Sequence, residues 1–499
     1  MAGTTFDKLL VTHGGALRRK YGATGAAAVR SALDRLVAAD AARGLRSRVL
    51  LLDNAQSMAA VKARKVADGD WVATLKAVDL AATRYAPAYL ALVGATDVVP
   101  QAEIANPVAG DTDPWVPSDL PFACDLPDTW TGPNGRRLEA ADLLAVTRVV
   151  GRIPDLPGEG DPAMLLAALD TAAGYTQRTP RAYQKVFALT ATVWKGSTVQ
   201  SVDLLPGPAP ATHLSPPEDA GWTKRELAGR THFVNCHGGD TTPDWFGQAA
   251  GGPVDTVALA PEDVDGRIAE GTVVAAECCY GAMHLAPADL GGRVPLMWAY
   301  LRSGGYAGFG SSTIAYGPAS GNGQADLVCR FVLEGVLAGA STGRALLDAR
   351  QRYVRETGAL NPVDLKTLAQ FDLLGDPSLV PVALPDRTPP KGLVAKAGPS
   401  PTLGQRRAVL AATGRALDSS VPRAGRPRRS DVGAEELVRE AGLRVSQVAG
   451  EVTSYGEHAG APRGGFTYHV LPVRSGQQDG LVVAEESDGA RRTSTVWRK

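Results

Sequence analysis

Thr231-His232-Phe233-Val234-Asn235-Cys236-His237-Gly238-Gly239-Asp240 and Gly271-Thr272-Val273-Val274-Ala275-Ala276-Glu277-Cys278-Cys279-Tyr280-Gly281 are the two stretches that decide the fold. Each is a short run of β-branched and small apolar residues bounded by glycine and polar residues, the pattern of a strand buried on both faces. Side by side in a parallel sheet, the two runs bring His237 and Cys278 together at their C-terminal ends. That is the crevice in which open α/β sheets bind ligands. A thiol beside an imidazole is the minimum machinery for acyl transfer, since the thiolate attacks and the imidazole moves the proton. The expectation is cysteine-peptidase chemistry.

Further strands and helices alternate around this pair. Residues 24–48 read as an Ala/Arg-rich helix with Leu33 and Leu36 at helical spacing, followed by the apolar run Val49-Leu50-Leu51-Leu52. Residues 71–85 form an amphipathic helix and Tyr89-Leu90-Ala91-Leu92-Val93-Gly94 a strand. After an Asp/Pro-rich loop over 97–135, the strand Ala145-Val146-Thr147-Arg148-Val149-Val150 runs into Gly151-Arg152-Ile153-Pro154, and 163–178 is helical. A second unit opens at Lys185-Val186-Phe187-Ala188-Leu189-Thr190 and passes through the two motif strands to Gly305-Tyr306-Ala307-Gly308-Phe309-Gly310. One long helix over 326–356 and a last strand over 379–384 complete it. Such alternation predicts α/β architecture: tandem, largely parallel sheets with helices on both faces.

The predicted boundaries are 1–180 for an N-terminal α/β subdomain, 181–385 for the catalytic subdomain, 386–430 for a Pro/Arg-rich linker and 431–499 for a small α+β module. Within the linker, Arg423-Ala424-Gly425-Arg426-Pro427-Arg428-Arg429-Ser430 is basic and rich in breakers, which predicts an exposed, flexible stretch. Cleavage after Arg423, Arg428 or Arg429 would make 431–499 a detachable regulatory or targeting module.

The 499 residues exceed one ordinary core. Lys+Arg and Asp+Glu both total 52, so charge gives no reason to expect nucleic acid or an anionic membrane as partner. The partners expected are a protein or peptide substrate and a regulatory partner of the C-terminal module. No apolar run reaches signal-peptide or membrane-spanning length. The cysteines, Cys124, Cys236, Cys278, Cys279 and Cys329, are odd in number with one adjacent pair, a poor disulfide framework. Both features predict a reducing cytoplasm.

The two motif strands resemble the His-Gly and Cys blocks of caspase-like peptidases, and other landmarks are similar to gingipain-type members. These are Leu92-Val93-Gly94-Ala95-Thr96-Asp97, Gly151-Arg152-Ile153-Pro154, Gly310-Ser311-Ser312-Thr313 and Leu374-Gly375-Asp376-Pro377-Ser378-Leu379, in the family's order over roughly 85–385. The resemblance implies a caspase-like fold and a Cys-His endopeptidase working through a thioester. It implies no required cofactor, with calcium as an option and no metal ligands. Catalytically silent scaffold or sensor is the alternative.

Cys-x-x-Gly spacing selects Cys278 as nucleophile, and the caspase spacing Cys-x-Gly selects Cys279; adjacent strand residues face opposite ways, so only one meets His237. The sequence reading favours Cys278. His237 is then base and acid, and the Gly238 amide joins the nucleophile's amide in the oxyanion hole. By resemblance, Asp170 takes the base of a pocket for basic P1 side chains, with Asp119 and Asp125 as rivals, and Ser312 and Tyr316 line that pocket. Trp245 either walls the cleft or packs, and Asp155 or Glu159 is available to orient His237. A metal site from Cys236, His237, Cys278, Cys279 and His284 lacks any metal-ligand spacing.

Overall fold

The computed structural model describes residues 6–126, 138–384, 403–457, 466–487 and 489–499. Ten strands form one continuous sheet in the order Ser47–Leu51, Lys8–Thr12, Tyr89–Val93, Val149–Ile153, Phe371–Leu374, Ala307–Ser311, Val273–Ala276, Thr231–Asn235, Val186–Ala191, Thr212–Ser215. The first five run parallel to one another, as do the last five. The halves meet antiparallel where Phe309 pairs with Leu373.

The two expected sheets are therefore one. Phe371–Leu374 follows the helix Pro362–Gln370 and pairs on both sides, so neither half keeps an open edge there. The strands are buried on both faces because helices cover both sides; Leu9, Leu10 and Val11 are all fully buried.

Several elements differ from the sequence reading. The expected helix over 326–356 is two, Gln324–Leu337 and Thr342–Thr357, because the Ser341 side chain accepts from the Arg344 amide and starts a new helix. Residues 379–384 make only one bridge, Arg178 with Val382; the sheet strand is the preceding Phe371–Leu374. The 386–430 stretch is not a linker throughout. Leu403–Ser420 is a helix and Ala424–Arg429 a strand, while 386–402 lies outside the described residues.

That basic strand is the edge of a second sheet, antiparallel and six-stranded: Tyr316–Gly317, Ala490–Arg498, Gln478–Ser487, Thr467–Ser475, Thr453–Glu457, Ala424–Arg429. An edge tolerates Pro427, and outward arginines discourage pairing with another chain. The tract is thus paired backbone, not the open processing site expected from its composition. The helix Ala434–Glu440 covers this sheet, packing Leu437 and Val438 on Leu471, Val473 and Val482. Because the sheet begins with Tyr316–Gly317, the chain from 424 onward is stitched to the large sheet beside the two motif strands. Among the described residues, no helix is long and apolar enough to cross a membrane.

Candidate active site

The motif strands pair parallel, with Val273 opposite Thr231 and Ala276 opposite Val234. Past the end of that pairing the two cysteines part: Cys278 joins Cys236 in one apolar cluster, whereas Cys279 bonds Lys499, which shares Trp194 with His237. Adjacent residues of an extended chain point opposite ways, and Cys278 and Cys279 accordingly fall in separate core clusters. Cys236 and Cys278 sit in an apolar cluster with Val234, Trp245 and Trp298. Cys279 belongs to the other face, where its thiol accepts from the Ala315 amide at 3.3 Å. Burial pushes all three thiols up, and at Cys279 the Arg498 guanidinium opposes that push. The preference for Cys278 at the His237 face is thereby reversed.

His237 is nearly enclosed. Its Nε2 lies 2.9 Å from Gln248 Oε1, and Gln248 Nε2 donates to the Gly252 carbonyl at 2.9 Å, which fixes the amide's direction. Nε2 therefore carries the proton and Nδ1 is left as the base. The Trp194 ring stacks obliquely on the imidazole at 4.3 Å between centroids. Gly238 passes so close to the Cys279 carbonyl that any side chain would collide with it. Burial lowers His237 to about 4, with nearby Arg498 and Lys499 adding to the effect.

Into this face runs the chain's own segment Trp497-Arg498-Lys499. Tyr316 pairs with Arg498 and Gly317 with Trp497. The Lys499 amide donates to the Ala315 carbonyl at 3.0 Å, and the Lys499 carbonyl accepts from the Cys279 amide at 3.2 Å. Lys499 Nζ lies 2.7 Å from Glu277 and 2.6 Å from Asp326, and all three side chains are wholly buried. Trp194 stands 5.4 Å from the ammonium. Gly317 leaves the space through which the lysine stem passes; a Cβ there would run into Lys499 Cε. Burial, then Asp326, hold the Glu277 carboxyl well above the usual range, while Lys499 works against them.

The other expected site residues are elsewhere. Asp170 is on an exposed helical face, paired with Arg35 at 2.7 Å, so it forms no pocket base. Asp119 binds Arg152 through both oxygens at 2.6 and 2.8 Å, and Asp125 pairs with Arg148 at 2.7 Å. Asp155 is held by Lys20 at 2.8 Å and by Tyr21, away from His237. Ser312 Oγ donates to the Pro117 carbonyl at 2.6 Å, whereas Tyr316 pairs with Arg498. Trp245 packs in the apolar cluster rather than walling the cleft. Glu159 gives only a backbone turn to Leu156. His284 stacks edge-on against Trp298, and no group of three or more His, Cys, Asp or Glu among the described residues could hold a metal ion.

Sequence reasoning passed over Trp194, Gln248, Glu277, Asp326, Arg498 and Lys499. Trp194 had a signal, since it follows the strand Val186–Ala191 at its C-terminal end, where such sheets build sites.

Buried neutral histidines make the fold acid-sensitive. His232, fully buried between Tyr300 and the Gly229 carbonyl, is also lowered to about 4, chiefly by burial. Unfolded histidine takes its proton near 6.5. Between those values the unfolded chain binds more protons than the native one, so stability is full above 6.5 and is lost as pH falls toward 4. Up to about 3 kcal/mol for each of His232 and His237 is at stake. Urea midpoints should fall clearly from pH 7.5 to pH 5; a flat profile would contradict this account.

No family model matches the chain, and no curated protein does. A solved structure described as "Structure of Protease" is similar at 13% identity and a TM-score of 0.42, over 98% of this chain and 97% of that one.

Proposed function

We propose that the protein is a cysteine endopeptidase of the caspase-like, gingipain-related kind, with Cys279 as nucleophile, His237 as base and acid, and basic P1 residues as substrates. The observation that carries the reading is the Cys279 amide bonded at 3.2 Å to the carbonyl of a peptide segment whose side chain enters a carboxylate-lined pocket. That amide is one donor of an oxyanion hole. With Nε2 tied to Gln248, Nδ1 of His237 takes the thiol proton as the thiolate attacks the peptide carbonyl. The C–N bond then breaks, the imidazolium gives its proton to the leaving amine, and water releases the acyl group from sulfur in the reverse sense. Cytoplasmic residence belongs to the same reading, with no cofactor required and calcium an optional activator.

Fluorogenic peptides with Lys, Arg, Ala or Asp at P1 test it, using the protein without Arg498 and Lys499 so that the cleft is open. Hydrolysis of the Lys and Arg peptides only, abolished by His237→Ala, is the expected result. Hydrolysis that survives His237→Ala, or that follows Asp, would remove the reading.

A further inference from the structure

We propose that the cleft is a lysine-selective peptide site and that the chain's own Trp497-Arg498-Lys499 segment occupies it as a substrate would, closing the enzyme until that segment is withdrawn. The inference rests on reading the cleft as a substrate site. Four independent contacts place the tail as a substrate would lie. Its backbone extends antiparallel to Tyr316–Gly317. The Lys499 amide and carbonyl are taken by the Ala315 carbonyl and the Cys279 amide. Its ammonium ends between Glu277 and Asp326. Its stem fills the gap left by Gly317.

Closure follows from the same contacts. The carbonyl of any other peptide would need the Cys279 amide that Lys499 already holds, and its strand would need the edge that Ala490–Arg498 already pairs. The Arg498 guanidinium also hydrogen-bonds the Cys279 thiol and lies near His237. The tail ends a strand of nine residues whose other edge pairs with Gln478–Ser487. A partner that displaces that strand opens the site; the C-terminal sheet is thus the handle of the device. The pocket as filled holds one compact ammonium between two carboxylates, with the lysine stem in the gap left by Gly317.

A fluorescein-labelled peptide ending in Thr-Val-Trp-Arg-Lys, read by anisotropy, tests the proposal without turnover, since the lysine is its last residue. The chain ending at Trp497 should bind it, and should bind the same peptide ending in Glu at least about tenfold more weakly. The full chain should bind neither, and the full chain carrying Lys499→Glu should regain binding. Hydrogen exchange on the unaltered protein adds a readout that needs no variant: the Lys499 amide should be protected. Equal binding by full and shortened chains, no binding by either altered chain while their melting remains cooperative, or rapid exchange at Lys499 would each overturn the proposal. Binding by the shortened chain with no hydrolysis of any peptide would keep the occupied cleft and remove the peptidase reading.

Discussion

Cys279→Ala, made in the protein lacking Arg498 and Lys499, is expected to lower hydrolysis of a lysyl peptide by at least about 10⁴-fold, while Cys278→Ala keeps most of it. The difference comes from strand register rather than from reactivity at rest, since burial pushes both thiols up in the closed protein. Cys278 is fully buried in the apolar cluster that holds Cys236, Val234 and Trp298. Cys279 is on the His237 side and next to the carbonyl that its own amide holds. Once the Trp497-Arg498-Lys499 segment leaves, water returns to that face, the cause of the raised thiol is removed, and His237 is free to take its proton. Cys278→Ala should cost about 1 kcal/mol of stability, as a small cavity does. A mutant series with the order reversed would restore the Cys-x-x-Gly assignment and require a register slip between Val273–Ala276 and Thr231–Asn235.

How much could be read from the chain depended on whether a signal was local. The helix Trp71–Tyr85 was legible because its apolar period and Asp70, whose side chain accepts from the Ala73 amide, lie in one window. The sheet strands were legible as apolar runs, and so was their meeting at a His-Gly turn and a cysteine pair. Choosing between Cys278 and Cys279 needed the cross-strand register, which two apolar runs of unequal length do not state. Asp170 was misplaced because a carboxylate on an exposed helix face and one at a pocket base look alike in sequence, and here Arg35 takes it. The tract 423–430 misled for a related reason: Pro, Gly and Arg compose a loop and a protected edge strand equally well. Lys499, more than two hundred positions from Glu277, carried no sequence signal at all, because its meaning lies in a contact made only by the folded chain.

The second large effect concerns the pocket itself. Asp326→Asn is expected to lower kcat/KM for lysyl peptides by about 2–5 kcal/mol, that is roughly 30- to 4000-fold, the cost of leaving a desolvated ammonium short of its partner. Glu277→Gln should cost less. Burial and the neighbouring Asp326 already favour its protonated form, which glutamine copies in shape and lack of charge. The same argument fixes how the fold responds. In the closed protein the Lys499 ammonium lies within 2.7 Å of both carboxylates, so either change relieves some repulsion between them while weakening the tail's hold. The two substitutions should therefore shift Tm little, yet both should loosen Lys499 and raise the exchange rate of its amide. Changes at P1 separate specificity from general damage: hydrolysis of lysyl peptides should fall far more than hydrolysis of peptides with uncharged P1 residues. Equal losses on all peptides would mean that Glu277 and Asp326 hold the site together rather than read the substrate, and a larger loss at Glu277 than at Asp326 would place the pairing charge on the other carboxylate.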